Sequence, residues 1–220
     1  MSSIKISQED ELMAGQQEKV ARLKFQDKKY KIILADPPWI YNGKLGTNRA
    51  KMGGYDKYYK GMELKDICNL PIQDLADDNC ILFLWATMPK LQEAFEVIKA
   101  WGFTHKTTAF TWIKLNPKSN TIFKGVGRWV MGNAELVLLA TKGKPKRISK
   151  SISQVIMAKR GKHSKKPDIV YRKIEELMGN LPRIELFARN TRQGWDAWGN
   201  QVPTECQNLI SEVSGNSSHN

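Results

Sequence analysis

The chain has 220 residues, of which 41% are hydrophobic, 9% aromatic and 26% charged, and this globular balance excludes a collagen-like or fully disordered protein. Thirty-five Lys and Arg against 22 Asp and Glu leave a net charge of +13, which favours polyanions as partners. Three cysteines without a CxxC pair and three scattered histidines predict neither a disulfide framework nor a bound metal, and no apolar run reaches the roughly 18 residues of a membrane span.

The two ends of the chain differ from its middle. Residues 1–24 carry balanced charges and little apolar content, so we predict a flexible N-terminal arm there. Residues 203–220 are rich in Ser, Asn, Gln and Glu without a periodic pattern, which predicts a disordered C-terminal tail. The residues between them, 25–202, are predicted to form a single domain.

Apolar runs in the middle of the chain predict buried strands. Tyr30–Ala35 is a short run ended by an Asp-Pro-Pro sequence, and Asn79–Trp85 is too apolar for a half-exposed strand. Both runs are typical of a parallel sheet that is covered on two faces. The remaining predicted strands are Thr107–Leu115, Glu135–Thr141 and Arg183–Ala188.

Two amphipathic helices are predicted between these strands. The segment from Pro89 to Trp101 follows Thr87, a candidate N-cap, and precedes Gly102. Its apolar residues recur at the i, i+3, i+4 and i+7 positions of a helix, namely Leu91, Ala94, Phe95 and Ile98. Pro167 to Met178 carries Val170, Ile174, Leu177 and Met178 at helical spacing, after a Pro suited to the first turn. Strands that alternate with helices predict an α/β fold with a mostly parallel sheet and helices on both faces.

Most of the positive charge lies in one stretch, residues 142–173. This stretch carries twelve Lys and Arg against one acid, Asp168, which gives +11 of the chain's +13. One interpretation is a solvated loop that lysines keep soluble. The other is a contact with a phosphate backbone, which would give salt-dependent and sequence-independent affinity because neutralised phosphates release counterions.

The tetrapeptide Asp36-Pro37-Pro38-Trp39 follows the first buried strand, at the end where open α/β sheets bind ligands. It combines a carboxylate with two residues that lack a backbone N–H, so its surface is rigid and rich in acceptors. Such a surface suits an adenine or cytosine NH₂, with one N–H on the Asp36 carboxylate, the other on the Pro37 carbonyl, and the ring beside Trp39. The alternative is a structural turn in which Trp39 returns to the core.

The segment Ala35 to Trp39 resembles the hallmark of the MT-A family of adenine N(6)-methyltransferases, and the whole resemblance covers roughly Tyr30 to Val202. The chain looks like a compact, bacterial or phage-like member of this family, and it is similar to the catalytic subunit of the eukaryotic messenger-RNA adenosine methyltransferase. It implies a Rossmann-like class I methyltransferase fold with permuted motif order. Further segments match in the family's order: Tyr59-Lys60-Gly61-Met62, Leu82–Trp85, Asn133-Ala134-Glu135, Leu139–Gly143, Ser164–Asp168, Ile184–Arg189 and Trp195 through Gly199-Asn200-Gln201.

The resemblance also implies a cofactor and site residues. S-adenosylmethionine is the expected cofactor, and Asp36, Pro37, Pro38 and Trp39 are expected to form the catalytic loop. Tyr59 would enclose the adenine, with Arg128 as a phosphate or base contact. The positions that match cofactor contacts are Lys166, Glu185, Arg189, Asn200 and Gln201, and the other substrate-side positions are Asn133, Glu135 and Lys142. For the cofactor positions a capping, turn or surface role is the structural alternative.

The sequence departs from the family pattern in two places. No acidic residue in Val20–Asp27 clearly matches the upstream cofactor contact of eukaryotic members, and the family's His and Asn after the Glu-x-Phe-x-Arg segment are Thr191 and Arg192 here. A GxG sequence at Gly125–Gly127 lies between two strands, and we predict a flexible substrate-side loop there.

The sequence therefore predicts methyl transfer from S-adenosylmethionine to the 6-amino group of adenine in nucleic acid, with DNA favoured over RNA. The alternatives are an RNA adenosine N(6)-methyltransferase and a non-catalytic nucleic-acid-binding partner subunit on the same fold. We expect an intracellular, cytoplasmic protein, nucleoid-associated if bacterial, without a membrane partner and able to pair as a homo- or heterodimer. The chemistry requires no metal, but it requires that no internal ion pair locks Asp36.

Overall fold

The computed structural model describes residues 28–41, 61–127, 129–161 and 165–203, together with the backbone of 23–25 and 210–212. The strands are β1 (Leu23–Phe25), β2 (Tyr30–Ala35), β3 (Ala76–Ala86), β4 (Thr104–Leu115), β5 (Ala134–Lys142), β6 (Val155–Lys159), β7 (Arg183–Leu186), β8 (Asp196–Trp198) and β9 (Ile210–Glu212). The helices are α1 (Leu64–Cys68), α2 (Ile72–Leu75), α3 (Leu91–Ala100) and α4 (Ile169–Met178), with a 3-10 turn at Met88–Lys90. None of these helices is long and apolar enough to cross a membrane.

Seven strands form one sheet in the order β6-β4-β5-β3-β2-β7-β8, and β1 pairs with β9 in a separate antiparallel ribbon. In the large sheet β2 is parallel to β3 and β7, β4 to β6, and β7 to β8. Strand β5 runs antiparallel to both of its neighbours, β3 and β4. The predicted α/β fold with a mostly parallel sheet is therefore confirmed, with β5 as the reversed strand within this sheet.

Helices cover both faces of the sheet because the strand side chains alternate. On β2, Ile33 and Ala35 belong to the core cluster that contains the buried residues of α3. Ile32 and Leu34 belong to a second cluster, which contains Val170, Ile174 and Met178 of α4. The central strands are thus apolar on both sides, as their sequences predict.

Helix α3 differs in detail from its prediction. It begins at Leu91 rather than Pro89, and Thr87 makes no side-chain capping bond. The Thr87 hydroxyl instead shares a 2.7 Å hydrogen bond with the Tyr41 hydroxyl. Phe95, which the spacing places on the apolar face, is 43% exposed and contacts the His105 ring. The assignment of Gly102 to the helix end is confirmed by its φ of 77°.

The last predicted strand is shorter than expected. Strand β7 ends at Leu186 because Phe187 has a φ of 61°, a left-handed conformation that interrupts an extended strand. Six short elements were not predicted, namely α1, α2, β1, β6, β8 and β9. All of them have five residues or fewer, too few for a periodic pattern to be recognised.

Trp101 offers a test of the α3 side of the core. Its side chain is fully buried, and its indole Nε1 donates to the carbonyl oxygen of Ile67 at 2.8 Å. Trp101→Phe removes this hydrogen bond and part of the ring, so we expect the free energy of unfolding in urea to fall by about 2 kcal/mol. The same substitution at Trp129, which is 97% exposed, should change it by less than about 0.5 kcal/mol. Equal losses in the two variants would contradict this description of the core.

Candidate active site

The polar side chains of the candidate site lie at one edge of the sheet. Asp36 follows the carboxyl end of β2, and the neighbouring β7 ends level with it because Ala35 is paired with Leu186. Strand β5 runs in the opposite direction, so its amino end, with Glu135, lies at this same edge. The carboxylates of Asp36, Glu135 and Glu185 therefore converge although they are distant in the sequence.

Backbone hydrogen bonds fix the catalytic loop predicted at 36–39. The Met62 N–H donates to the Pro38 carbonyl at 2.9 Å, and the Trp39 N–H donates to the Pro37 carbonyl at 2.9 Å. The indole Nε1 of Trp39 donates to the Trp85 carbonyl at 3.3 Å, and its ring packs against the α3 side of the core. Trp39 thus has the structural contacts of a residue that returns toward the core.

Lys166 connects two of the three carboxylates. Its Nζ donates to both carboxylate oxygens of Asp36, at 2.7 and 2.6 Å, and lies 3.5 Å from Oε2 of Glu135. The ammonium group also lies over the Trp85 ring, 5.1 Å from its centre. The expectation that Asp36 has no internal ion pair is therefore wrong. Its partner is the residue that the resemblance assigns to the cofactor.

A second lysine extends this charge cluster. Lys114, near the end of β4, donates to Oε1 of Glu135 at 2.5 Å. Burial opposes ionisation of Glu135, but Lys166 and Lys114 outweigh it and lower the pKa of Glu135. Burial likewise opposes the charge of Lys166, and Asp36 and Glu135 outweigh it and raise the pKa of Lys166. Lys166 and Glu135 are thus charged at neutral pH.

Glu185 has a different environment. Its Oε1 accepts a 2.8 Å hydrogen bond from the Tyr171 hydroxyl of α4. Burial raises the pKa of Glu185 to about 7, and the negative charge of Asp36 acts in the same direction. The Tyr171 hydrogen bond and the positive charges of Arg192 and Lys166 oppose this rise. The guanidinium of Arg192 lies 3.9 Å from the centre of the Tyr171 ring and is also paired with Asp168. Arg192, noted as a departure from the family pattern, therefore belongs to this corner of the site.

The remaining cofactor candidates lie at the carboxyl ends of β7 and β8. Arg189 follows the strained residue Phe187, and its positive charge acts on Lys166. Asn200 and Gln201 are exposed in the turn after β8, the second strand from β2. This turn packs tightly on the end of β7, since a Cβ on Gly199 would lie 2.3 Å from the Ala188 carbonyl oxygen. The structure thus places these residues along the same edge of the sheet as Asp36.

The structure does not bring every predicted substrate residue to this edge. Asn133 directly precedes β5, where its carbonyl accepts from the Lys114 N–H at 2.9 Å. Lys142 lies at the far end of β5, opposite Cys80, and donates to the carbonyls of Gln73 and Ala76. Lys142 and Glu135 are seven positions apart on this extended strand, so their Cα atoms lie about 23 Å from each other. Tyr59 and Arg128 lie outside the described residues, as do the side chains of 20–27.

The basic stretch at 142–173 is divided between two edges of the sheet. Lys142 and Lys144 lie at the edge opposite the site, where the Lys144 N–H donates to the Asn79 side chain. Lys159 and Arg160 end β6 beside the last residue of β4, at the edge of the site. Lys159 and Arg160 therefore lie at the edge where a substrate would be bound at Asp36, and Lys142 and Lys144 do not.

Several side chains at the site were not found by sequence reasoning. Besides Lys114 and Tyr171, Tyr41 faces the cluster, and burial raises its pKa to about 12 while the charges of Glu135, Lys166 and Asp36 also act on it. The pairing of Lys114 with Glu135 depends on the antiparallel pairing of β4 with β5, which the sequence does not reveal. Tyr41 and Tyr171 carry no sequence signal either, because an isolated tyrosine is compatible with many environments.

Comparison with known proteins identifies the family. A model of the MT-A70 family matches residues 30–201. The chain is 36% identical over 193 residues to the type II methyltransferase M.MunI of Mycoplasma sp., an alignment that covers 80% of this chain and 79% of that protein. It is 30% identical over 178 residues to the N(6)-adenosine-methyltransferase catalytic subunit METTL3 of Homo sapiens, covering 79% of this chain and 28% of that protein. The chain therefore belongs to the MT-A70 family of methyltransferases, and the resemblance drawn from the sequence motifs is confirmed.

Glu185 makes the stability of the protein depend on pH. Its folded-state pKa of about 7 lies above the ordinary 4.5, so its ionisation costs stability as pH rises through this interval. Glu185→Gln keeps an oxygen for Tyr171 but cannot ionise. We expect the variant to be more stable than wild type at pH 8.5, by an amount on the order of 2 kcal/mol, and equally stable near pH 4. Urea denaturation across this pH range measures the difference, and a gap that does not change with pH would refute the assignment.

Proposed function

We propose that this protein transfers a methyl group from S-adenosylmethionine to the 6-amino group of adenine in DNA. The observation that carries the proposal is the arrangement of the Asp36 carboxylate and the Pro37 carbonyl at the carboxyl end of β2, beside Lys166. Two fixed acceptors match the two N–H groups of an exocyclic amine. Membership of the MT-A70 family supports the reaction and the cofactor.

One observation favours DNA over the RNA alternative, and a second supports a nucleic acid of either kind. The alignment with M.MunI covers 79% of a type II methyltransferase, a class of enzymes that modify DNA, whereas the alignment with METTL3 covers 28% of that protein. The exposed cations Lys159 and Arg160 lie at the edge of the site, where a phosphate backbone would be neutralised. The cations do not distinguish the two nucleic acids, so the first observation decides the preference.

The side chains at the edge fit the chemical groups of S-adenosylmethionine. The ammonium of Lys166 suits the methionine carboxylate, and Glu185, Asn200 and Gln201 supply acceptors and donors for the ribose and adenine groups. The carboxylates of Asp36, Glu135 and Glu185 suit the positive sulfonium. When bound, this cofactor supplies an electrophilic methyl group.

The two acceptors would hold the adenine amine in a reactive geometry. Pro37 has no N–H, and its carbonyl accepts one hydrogen bond from Trp39, which leaves a second lone pair. With one amine N–H on this carbonyl and the other on Asp36, the nitrogen lone pair is directed away from both acceptors. Fixing this direction raises the rate because the nitrogen then needs no further reorientation for in-line attack.

The ion pair with Lys166 does not remove Asp36 from this role. A carboxylate has about four lone-pair directions, and the two bonds from Lys166 use two of them. Lys166 also has Glu135 as a second carboxylate neighbour at 3.5 Å, so its flexible side chain remains paired when it turns from Asp36. With the cofactor bound, Lys166 would hold its carboxylate while it remains near Glu135, and Asp36 would then be available to the amine.

Replacement of Asp36 tests this function. We expect Asp36→Ala to reduce methyl transfer by about 10²-fold or more, because one of two fixed acceptors is lost, and to change DNA affinity little. Mass spectrometry of nucleosides from DNA and RNA oligomers, incubated with labelled methyl donor, measures the product, and gel shift measures binding.

The matched control is Asp78→Ala, an exposed carboxylate at the opposite end of β3, which should retain full activity. Equal loss of product and of binding in Asp36→Ala would contradict the role of Asp36. The absence of N(6)-methyladenine from every oligomer with wild-type protein would contradict the proposed function itself.

A further inference from the structure

The loop between β4 and β5 presents an apolar tip to solvent. In residues 123–132, which we call the 123–132 loop, Trp129 is 97% exposed, Val130 79% and Val126 71%. Soluble proteins rarely expose such large apolar side chains together, and where they do, the surface marks an interaction. Trp129, Val130 and Val126 have no role in the candidate active site.

The loop is narrow because of two glycines. The Gly132 N–H donates to the Gly125 carbonyl at 2.9 Å. A Cβ on Gly125 would lie 2.4 Å from the Gly132 oxygen, and one on Gly127 would lie 2.0 Å from the Val130 oxygen. The two arms of the loop thus approach too closely at Gly125 and Gly127 for a Cβ atom, which restricts the residues that these two positions accept.

The base of the loop is joined to the candidate active site. The Phe123 N–H donates to the Lys114 carbonyl at 2.7 Å, and Lys114 binds Glu135 through its ammonium group. Trp129 and Glu135 are six positions apart in the sequence, so their Cα atoms lie within about 20 Å of each other. A substrate held at Asp36 therefore passes within reach of the tip.

The charge around the loop identifies the kind of partner. Exposed cations lie in and beside the loop, namely Lys124 within it and Lys159 and Arg160 where β6 ends. Arg160 stacks its guanidinium 3.9 Å from the centre of the Phe123 ring at the base of the loop. A second copy of the chain would bring the same positive surface and be repelled, whereas a polyanion is attracted. An apolar tip within a basic surface matches proteins that insert a side chain between DNA bases.

We propose that Trp129 enters the DNA duplex and fills the space that the target adenine leaves when it turns out of the base stack toward Asp36. This inference rests on the proposed function. A base must leave the stack before its amine can reach the two acceptors, and unstacking costs free energy. An indole that stacks on the neighbouring bases offsets this cost.

The test compares paired and unpaired target bases. Wild-type protein, Trp129→Ala and Trp129→Phe are assayed on a duplex that carries the sequence methylated by the wild type, and on the same duplex with an abasic site opposite the target adenine. We expect Trp129→Ala to lose about 10-fold or more in kcat/KM on the paired duplex and less than about 3-fold on the abasic one, where little stacking is lost. Trp129→Phe should retain most activity.

A fluorescent base gives a readout that does not depend on turnover. With 2-aminopurine at the target position, wild-type protein and cofactor should increase the fluorescence as the base unstacks, and Trp129→Ala should not. Cofactor affinity, measured by calorimetry, should be unchanged in Trp129→Ala.

The loop supplies its own matched glycine controls. Gly127→Ala should reproduce the loss seen in Trp129→Ala, because its methyl group would collide with the Val130 carbonyl. Gly132→Ala should be neutral, because nothing lies within 4 Å of its Cβ position. Phe95→Ala, at an exposed aromatic residue on α3, should also be neutral.

Three results would overturn the inference alone. The first is an equal loss of kcat/KM by Trp129→Ala on the two duplexes, and the second is full activity of this variant on both. The third is a halved molecular mass of this variant in light scattering, which would make the tip an interface between copies of the chain. Wild-type methylation of single strands but not duplexes would likewise exclude the insertion. No methylated adenine with wild-type protein would overturn the proposed function and this inference with it.

Discussion

The ion pair between Lys166 and Asp36 is the contact on which the candidate active site depends. Three carboxylates converge at one partly buried edge of the sheet, and a buried cluster of like charges is unfavourable unless a cation compensates it. Lys166 binds Asp36 and lies near Glu135, and Lys114 supports Glu135 from the other side. These two lysines keep Glu135 ionised, whereas burial brings the pKa of Glu185 to about 7. The charged side chains of the site thus depend on one another. A ligand that binds one of them changes the electrostatic environment of the others.

The sheet topology explains how distant residues form this set. Parallel strands β2, β7 and β8 bring their carboxyl ends to one edge, and the reversed strand β5 adds its amino end. Helix α4, which covers one face of the sheet, begins just after Lys166 and places that lysine 130 residues from its partner in the sequence. The 123–132 loop leaves the same edge between β4 and β5. The proposed acceptors for an adenine amine and the 123–132 loop therefore lie at one edge of the sheet, which also carries Lys159 and Arg160.

Part of this arrangement could be read from the sequence. Tyr30–Ala35 is predicted residue for residue because a continuous apolar run is typical of a strand buried on both faces, and the place of Asp36 at its end follows. The direction of β5 could not be predicted, because a buried strand is apolar whichever way it runs. Because β5 is reversed, Glu135 at its amino end lies at the edge of the site, and Lys142 at its carboxyl end lies at the opposite edge. The Lys166–Asp36 pair and the left-handed Phe187 depend on long-range packing, which local patterns do not encode.

The most direct test of the account is a crystal structure with a non-reactive analogue of S-adenosylmethionine that keeps its methionine carboxylate. The account predicts that this carboxylate lies within hydrogen-bond distance of the Lys166 ammonium, that Lys166 has turned from Asp36, and that Asp36 and the Pro37 carbonyl face the transferable group. A cofactor carboxylate held elsewhere, with Lys166 still bound to both oxygens of Asp36, would contradict it.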